Sequence, residues 1–203
     1  MAKTRKTPRR KKSDAFDALN FFAEAGLLKR VKRSGWWVAG IKDPESVAEH
    51  SFRTAVIGFY LAYQEKADPM KVVAMALFND IHESRINDLH KMGHSYIDFK
   101  SAEKKVFQDQ IKLLPPEVRA PLKKIRDEYD RQKSLESLLA RDADILECLI
   151  QAKEYHDAGH REAQHFFARA PKFLATKSAR GIWREIRRWD SSLWWQHVVT
   201  FQR

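Results

Sequence analysis

The feature that most constrains the fold is a helical spacing of apolar residues that recurs along almost the whole chain. Only seven glycines occur in 203 residues, and no stretch shows the strict alternation that is typical of a half-buried strand. Helices are predicted at about 16–25, 44–66, 69–82, 100–113, 116–131, 135–158 and from 178 onward. We therefore predict an all-α protein.

Three helix starts carry a recognisable capping signal. Asp43 and Asp68 each precede a proline, so each Asp is predicted to be an N-cap with proline at the first helical position. Ser134 is the predicted N-cap of the longest helix, which Gly159 ends. These signals divide the chain into helices without indicating a linker between separate folded domains.

Length and composition are those of one soluble domain. Hydrophobic residues make up 43% and charged residues 32% of the chain, and no apolar run approaches the roughly 18 residues of a membrane helix. We predict no membrane association. Cys148 is the only cysteine, which excludes an intramolecular disulfide and a cysteine-based zinc site. A reducing compartment, the cytoplasm, is the predicted location.

The formal net charge of +11 is concentrated at the two ends. Residues 1–12 contain seven Lys or Arg and no acid, and residues 169–203 contain eight basic and two acidic residues. We predict a flexible, disordered basic arm at 1–13, a domain at 14–168 and a basic, Trp-rich helical extension at 169–203 that packs on it. The two basic tails could bind nucleic acid, and a solvated arm is the alternative.

Polar side chains interrupt the apolar rows of three predicted helices. His50 lies on the row Val47, His50, Thr54, Ile57, Leu61, and Asp80 continues the row Val73, Ala76, Leu77. The long helix contains Asp142 and Asp144 among aliphatic residues. A carboxylate on a core-facing row costs several kcal/mol unless it is paired or binds a cation. Each residue alone could be a structural partner, but together they indicate a site.

Several segments resemble the motifs of HD-domain metal-dependent phosphohydrolases. Residues 44–51 (PESVAEHS) are similar to the first His motif, and 79–83 (NDIHE) to the HD-x-x-E motif except at its first position. Residues 87–89 (NDL) resemble the following G-D-L turn, 143–147 (ADILE) the last Asp motif, and 28–36 (LKRVKRSGW) the entry loop. Over about 20–158 the chain resembles the small 5′-deoxynucleotidase-like branch, which implies a single HD-domain helical bundle.

The resemblance implies a divalent metal ion held by His50, Asp80 and Asp144. Asn79 stands where the family has the His of the HD pair. An amide oxygen is a harder and weaker donor than an imidazole nitrogen, so Asn79 as fourth ligand favours Mn²⁺, Mg²⁺ or Co²⁺. His82 is not an obvious substitute, since it lies about 200° from Asp80 around a helix.

The resemblance also implies the reaction, the hydrolysis of a phosphomonoester such as a deoxynucleoside monophosphate. Glu83 is predicted to be the general base or to orient water, and Asp88 to hold or protonate the substrate. Arg33 is a candidate phosphate clamp, while Trp36, or its neighbour Trp37, could stack on the base. The alternative for these tryptophans is that they cover the core.

Two further points stay open at the level of sequence. Asn79, the basic tails, and Ala39 where relatives often carry Arg, favour an alternative function: a catalytically degenerate HD domain that binds nucleic acid or assembles a ribonucleoprotein. The C-terminal tryptophans belong either to the core or a dimer interface, or to an RNA-binding surface. Relatives of this branch tend to be dimers, which implies a homodimer.

Overall fold

The computed structural model describes residues 13–168 and 172–199, and within them the chain is all-α. The α-helices of this part are α1 (Asp14–Leu27), α2 (Gly35–Val38), α3 (Val47–Glu65), α4 (Pro69–Phe78), α5 (Glu83–Ile86), α6 (Lys91–His94), α7 (Phe99–Ile111), α8 (Pro116–Arg131), α9 (Leu135–Asp157) and α10 (Lys177–Ile186). Short 3₁₀ segments lie at Arg161–Ala168 and Trp194–His197. The predicted fold class is confirmed. None of the described helices is both long enough and apolar enough to span a bilayer.

Helix α9 is the centre of the bundle. It packs against α3, α4, α8 and α10, and its Leu139, Ala143 and Leu146 are fully buried. Leu61 of α3 and Val72 of α4 belong to the same hydrophobic cluster. Removing these aliphatic side chains from water stabilises the bundle and sets the spacing of α3, α4 and α9, which carry or adjoin the polar residues of interest.

Two of the three predicted N-caps are confirmed, and one is wrong. Asp68 accepts hydrogen bonds from the N–H groups of residues 70 and 71, and Ser134 from that of residue 137. Asp43 caps no helix, because α3 begins three residues later than predicted. Ser46 is its N-cap: Ser46 Oγ accepts from Glu49 N at 3.2 Å, and Glu49 Oε2 accepts from Ser46 N at 2.6 Å. This reciprocal capping box outweighs the Asp-Pro signal.

Helix α4 ends at Phe78, four residues earlier than the sequence predicted. Residues 79–82 form turns, and the carbonyl oxygen of Asn79 accepts a hydrogen bond from Arg126 Nη1 at 2.8 Å. Because α8 supplies that donor, this carbonyl is satisfied without a further helical turn. The predicted apolar row is also shifted, since Ala76 is buried while Leu77 is 42% exposed.

The C-terminal segment is attached to the bundle through Asp142. Its Oδ1 accepts from Ala175 N at 2.8 Å, and its Oδ2 accepts from Thr176 N at 2.8 Å and Thr176 Oγ1 at 2.6 Å. Trp183 of α10 is buried against the core, whereas Trp194 is 62% exposed. At the other end, Ser13 is the N-cap of α1. The predicted flexible basic arm falls on residues 1–12, which lie outside the described residues.

Candidate metal centre

Three of the predicted ligands meet in the interior of the bundle. His50 Nε2 of α3 lies 3.1 Å from Asp144 Oδ1 of α9 and 3.5 Å from Asp80 Oδ2, just after α4. One potential ligand atom from each residue lies within 4.8 Å of the other two. Asp142, two residues from Asp144, faces away from the group toward α10. Asp142 and Asp144 therefore have different environments.

The second ring nitrogen of His50 contacts a residue that the sequence analysis missed. His50 Nδ1 forms a short hydrogen bond with Glu147 Oε2, and Glu147 is fully buried. Arg53 binds the other carboxylate oxygen, with Nε at 2.9 Å and Nη2 at 2.8 Å from Glu147 Oε1. The available signal was the helical spacing, because Glu147 is three residues after Asp144 and shares its face of α9.

Opposing charges determine the pKa values of the three central residues. Burial and Arg33 lower the pKa of His50, but contacts with Glu147 and Asp144 outweigh them and raise it to about 10. For Asp80, burial raises the pKa, and the charge of His50 only partly opposes it. For Asp144, burial again raises the pKa, but the hydrogen bond to His50 and nearby positive charges together outweigh it and hold the pKa well below its usual range. These carboxylates therefore favour the protonated, positively charged form of the imidazole.

Glu83 lies beside this group in an environment that disfavours its charge. Burial, followed by the charges of Asp80 and Asp88, raises the pKa of Glu83 well above the ordinary value of a glutamate. Its Oε2 is buried and makes no hydrogen bond. A buried carboxylate oxygen without a donor is costly, so the site has an unmet requirement for positive charge or for a donor.

Arg33 and Asp88 lie on the same side of the cluster formed by the three central residues and Glu83. Ser34 N donates to Asp88 Oδ2 at 2.8 Å, which ties the entry loop to the segment after α5. Burial lowers the pKa of the Arg33 guanidinium, but Asp88, Asp80 and Asp144 outweigh it and raise the pKa well above the ordinary value. The side chain of Arg33 is 18% exposed, so a guanidinium faces the acids from the loop.

The structure corrects the predicted stacking role of Trp36. Its ring is 2% exposed and packs against Tyr155 and Phe166, with ring centroids 5.1 and 4.5 Å away. Its Nε1 donates to Glu45 Oε1 at 2.9 Å. A buried indole offers no open face to a nucleobase, so the core-covering interpretation holds for Trp36. The neighbouring Trp37 is 53% exposed.

Asn79 lies next to the centre but is turned toward its neighbour. Its side-chain amide donates to Asp80 Oδ1 at 2.7 Å, which leaves Asp80 Oδ2 directed toward His50. His82 does not replace the missing imidazole, since its Nε2 lies 3.4 Å from Glu103 Oε1. His94, a second histidine further along the chain, does not replace it either, because its Nε2 donates to the Leu89 carbonyl at 2.8 Å.

The donor set suits a divalent cation. One imidazole nitrogen and two carboxylates converge in a buried position, with the orphaned oxygen of Glu83 nearby. Such a mixed nitrogen and oxygen set is compatible with Mn²⁺, Co²⁺ or Zn²⁺, and carboxylates also bind Mg²⁺. Arg141, another residue that the sequence analysis missed, lies near Asp144. Burial lowers the pKa of the Arg141 guanidinium, but Tyr129 and Asp144 outweigh this effect and raise it. The fold and this donor set together are those of an all-α protein with a candidate site for a divalent metal ion.

Comparison with known proteins identifies the family. A sequence model of the HD domain matches residues 25–185, so the chain belongs to the HD-domain family, and the resemblance seen in its motifs is confirmed. The 5′-deoxynucleotidase HDDC2 of Dictyostelium discoideum is 34% identical over 151 residues, which cover 70% of this chain and 80% of that protein. Its Homo sapiens counterpart is 31% identical over 144 residues, covering 70% of each chain.

A solved structure shows the same fold. A conserved hypothetical protein from Pyrococcus furiosus superposes with a TM-score of 0.73 at 31% identity, covering 84% of this chain and 99% of that one. The family match extends to residue 185, further than the region of about 20–158 in which the motifs were recognised. Helix α10, which ends at residue 186, therefore falls almost entirely within the matched segment.

Proposed function

We propose that the chain is a metal-dependent phosphomonoester hydrolase, a 5′-nucleotidase that acts on deoxynucleoside monophosphates. The observation that carries this proposal is the convergence of His50, Asp80 and Asp144, with Glu83 and Asp88 on the same side. The substrate class comes from the relatives, which are named 5′-deoxynucleotidase. The same arrangement supports metal dependence, because a divalent cation would neutralise the buried carboxylates that converge on His50.

The proposed ligands are His50, Asp80, Asp144 and Asn79. Asn79 donates one amide N–H to Asp80, and its amide oxygen is the atom that it can offer to a cation. A divalent ion would polarise a phosphate oxygen and lower the pKa of water, and we propose Mn²⁺, Mg²⁺ or Co²⁺. With a single imidazole, the set favours these ions over ones that prefer several nitrogen donors.

The proton transfers are assigned to the two acids outside the ligand set. Water attacks the phosphorus atom, the bond from phosphorus to the 5′ oxygen breaks, and the nucleoside leaves as an alcohol. Glu83 accepts the proton of the attacking water, and Asp88 delivers a proton to the departing oxygen. Positive charge between the carboxylates would lower the pKa of Glu83, which burial otherwise raises, and would let it act as a base.

Substrate binding is assigned to the loop that precedes α3. Arg33 binds the phosphate through its guanidinium, which can make two parallel hydrogen bonds to phosphate oxygens. Trp36 contributes by supporting this loop from the core, through Glu45, rather than by touching the base. Trp37 is the exposed ring of this loop and is the proposed contact for the nucleoside.

The remaining assignments concern organisation and partners. We propose a division into a basic arm at 1–13, an HD domain at 14–168 and an extension at 169–203, and a cytoplasmic location. The family match runs on to residue 185, so helix α10 of the extension lies almost entirely within the matched HD segment. We also propose a homodimer, supported by an exposed apolar row on α3 that contains Phe52, Val56, Phe59 and Tyr63. The alternative function, a degenerate domain that binds nucleic acid, has less support, because the relatives that the chain matches are named 5′-deoxynucleotidase.

The test is phosphate release from a panel of deoxyribonucleoside and ribonucleoside 5′-monophosphates with Mn²⁺, Co²⁺ or Mg²⁺. Turnover of the deoxy substrates is expected, with loss of activity in Asp80→Ala. Asp127→Ala, which removes an exposed acid paired with Lys123 on α8, is the control and is expected to keep full activity. Absence of turnover with every cation, or an Asp80→Ala variant as active as the parent, would contradict the proposal.

A further inference from the structure

The second ring nitrogen of His50 lies at the inner end of a chain of buried ionic contacts. Nδ1 faces Glu147 Oε2, while Nε2 faces Asp144 and Asp80. An ionised carboxylate only accepts hydrogen bonds, so both ring nitrogens of His50 face acceptors. A cation between the two aspartates would take the lone pair of Nε2, and the one proton of the neutral ring would then lie on Nδ1. Glu147 is the residue placed to accept that proton's hydrogen bond.

The position of Glu147 is itself determined by Arg53. The Nε and Nη2 of Arg53 both bind Glu147 Oε1, which leaves Oε2 for His50. Arg53 is held in turn by both carboxylate oxygens of Glu154 at 2.8 Å and by Gln151 Oε1 at 2.7 Å. The chain runs from the partly exposed Arg53 to the buried imidazole, and every donor in it faces an acceptor.

A second cation site among Glu45, His50 and Glu147 is the competing interpretation. These three residues also lie close enough to share an ion. However, Glu147 Oε1 is bound by Arg53, and Glu45 Oε1 accepts from Trp36. A guanidinium that already neutralises Glu147 disfavours a further cation at this position, so the group supports His50 and does not bind an ion.

We propose that Glu147, locked by Arg53, is a positioning residue that holds His50 with its proton on Nδ1 and presents Nε2 to the cation. This inference rests on the metal centre of the proposed function. Carboxylates that orient a metal-bound histidine typically contribute about 10- to 100-fold in metal affinity. The contribution matters more here because Asn79 leaves His50 as the one imidazole of the proposed ligand set.

The test compares Co²⁺ affinity, measured by calorimetry on the metal-free full chain, in the parent, Glu147→Gln and Glu117→Gln. Glutamine at 147 has one oxygen for two donors, so its amide must face either His50 or Arg53 with an N–H group. Glu147→Gln is expected to bind Co²⁺ about 10- to 100-fold more weakly. Glu117→Gln makes the same change at an exposed position in the first turn of α8, outside this chain of contacts, and is the matched control that should keep the affinity of the parent.

A second measurement observes the ring of His50 directly in the parent protein. In the Zn²⁺-loaded parent, ¹⁵N shifts of the His50 ring, assigned by comparison with His50→Gln, are expected to show a protonated Nδ1 and an unprotonated Nε2. Parent-like Co²⁺ affinity of Glu147→Gln, or a Zn²⁺-loaded ring with its proton on Nε2, would overturn the inference while leaving the hydrolase proposal intact. A parent that binds neither Co²⁺ nor Zn²⁺ would overturn both, and the nucleotide assay would show the same failure.

Discussion

Asn79 donates a side-chain amide N–H to Oδ1 of Asp80 at 2.7 Å, so the residue in the place of the family's histidine is hydrogen-bonded to the neighbouring proposed ligand. An imidazole in this position would add a nitrogen donor to the cation but would lose this particular contact. The added donor raises the metal affinity and the lost hydrogen bond lowers it. The added donor has the larger effect because it binds the ion directly. Asn79 is therefore the position at which metal affinity can be raised most simply.

Asn79→His is expected to bind Co²⁺ about tenfold more tightly than the parent, equivalent to about 1.4 kcal/mol. The physical reason is the additional imidazole donor, which first-row transition ions prefer to an amide oxygen. Calorimetry on the metal-free protein measures the change. Asn79→Ala, which removes both the oxygen and the hydrogen bond to Asp80, is the control and should bind more weakly than the parent. Weaker binding by Asn79→His than by the parent would refute the assignment.

Glu83→Gln is expected to lower kcat by about 10²- to 10⁴-fold, the usual range for the loss of a general base. Its metal content should be unchanged, because Glu83 lies outside the proposed ligand set. Steady-state kinetics and elemental analysis on the same preparation separate the two effects. Glu117→Gln, in the exposed first turn of α8, is the matched control. Equal loss of metal and activity would instead indicate that Glu83 is a ligand.

Arg33→Lys is expected to raise KM for nucleotides by about 10- to 100-fold, since one charge-assisted hydrogen bond contributes about 1.5–3 kcal/mol. Lysine keeps the positive charge opposite Asp88 and Asp80 but cannot make two parallel bonds to a phosphate. Kinetics with a deoxynucleoside monophosphate give KM and kcat separately. Arg30→Lys, an exposed position three residues earlier, should leave both constants unchanged. A normal KM in Arg33→Lys would remove Arg33 from the phosphate site.

Asp142→Asn and Asp144→Asn are expected to have opposite effects. Asn at 142 places an N–H group against either Ala175 N or Thr176, so the free energy of unfolding should fall by about 1–3 kcal/mol. Metal affinity should be preserved in that variant and lost in Asp144→Asn. Urea unfolding and calorimetry on both variants test this pair. If Asp142→Asn lost the metal while remaining as stable as the parent, the assigned roles would be reversed.

Asp157 provides a pH-dependent contribution to stability. Burial raises its pKa, but hydrogen bonds from Lys153 and Ser191 together outweigh this and hold the pKa well below the usual range. A lowered pKa in the folded state stabilises the protein above the unfolded value of about 3.9, and this stabilisation is lost as the pH falls further. The free energy of unfolding of Asp157→Asn should therefore lie below that of the parent from pH 7 to 5.

The difference between the two proteins should shrink below about pH 4, where the carboxylate of the unfolded chain becomes protonated. Urea titrations at several pH values measure it. Asp127→Asn is the control, because its ion pair with Lys123 is exposed and should contribute little at any pH. A difference that persists unchanged at pH 3 would rule out the charge of Asp157 as the cause.

Much of the candidate site could be predicted because buried polar groups stand out on apolar helical rows. His50 is visible in this way. Asp80 was also assigned to such a row, but α4 ends before it and the row is shifted, so the motifs were the sounder signal for Asp80 and Asp144. The structure brings these three together. Spacing alone could not separate Asp142 from Asp144, since both lie among aliphatic residues of one helix. The distinction depends on Thr176, whose backbone comes from a distant segment to satisfy Asp142.

Other features required tertiary information. Glu147 has the appearance of an ordinary helical charge in the sequence, and its role depends on Arg53 and His50 of α3. The start of α3 was misplaced because Asp43 and Ser46 are both good N-caps, and the contact of Ser46 with Glu49 decides between them. The helical fold itself was predictable because the hydrophobic spacing is local.

His50 and Asp144 are 94 positions apart in the chain, and Asp80 lies between them. An ion shared by all three would act as a reversible cross-link that closes two long loops and reduces the conformations open to the unfolded chain. Chelation should then do more than stop catalysis: it should also shorten the lifetime of the protein against proteases. The persistence of this chain in its surroundings would thereby depend on the supply of metal there.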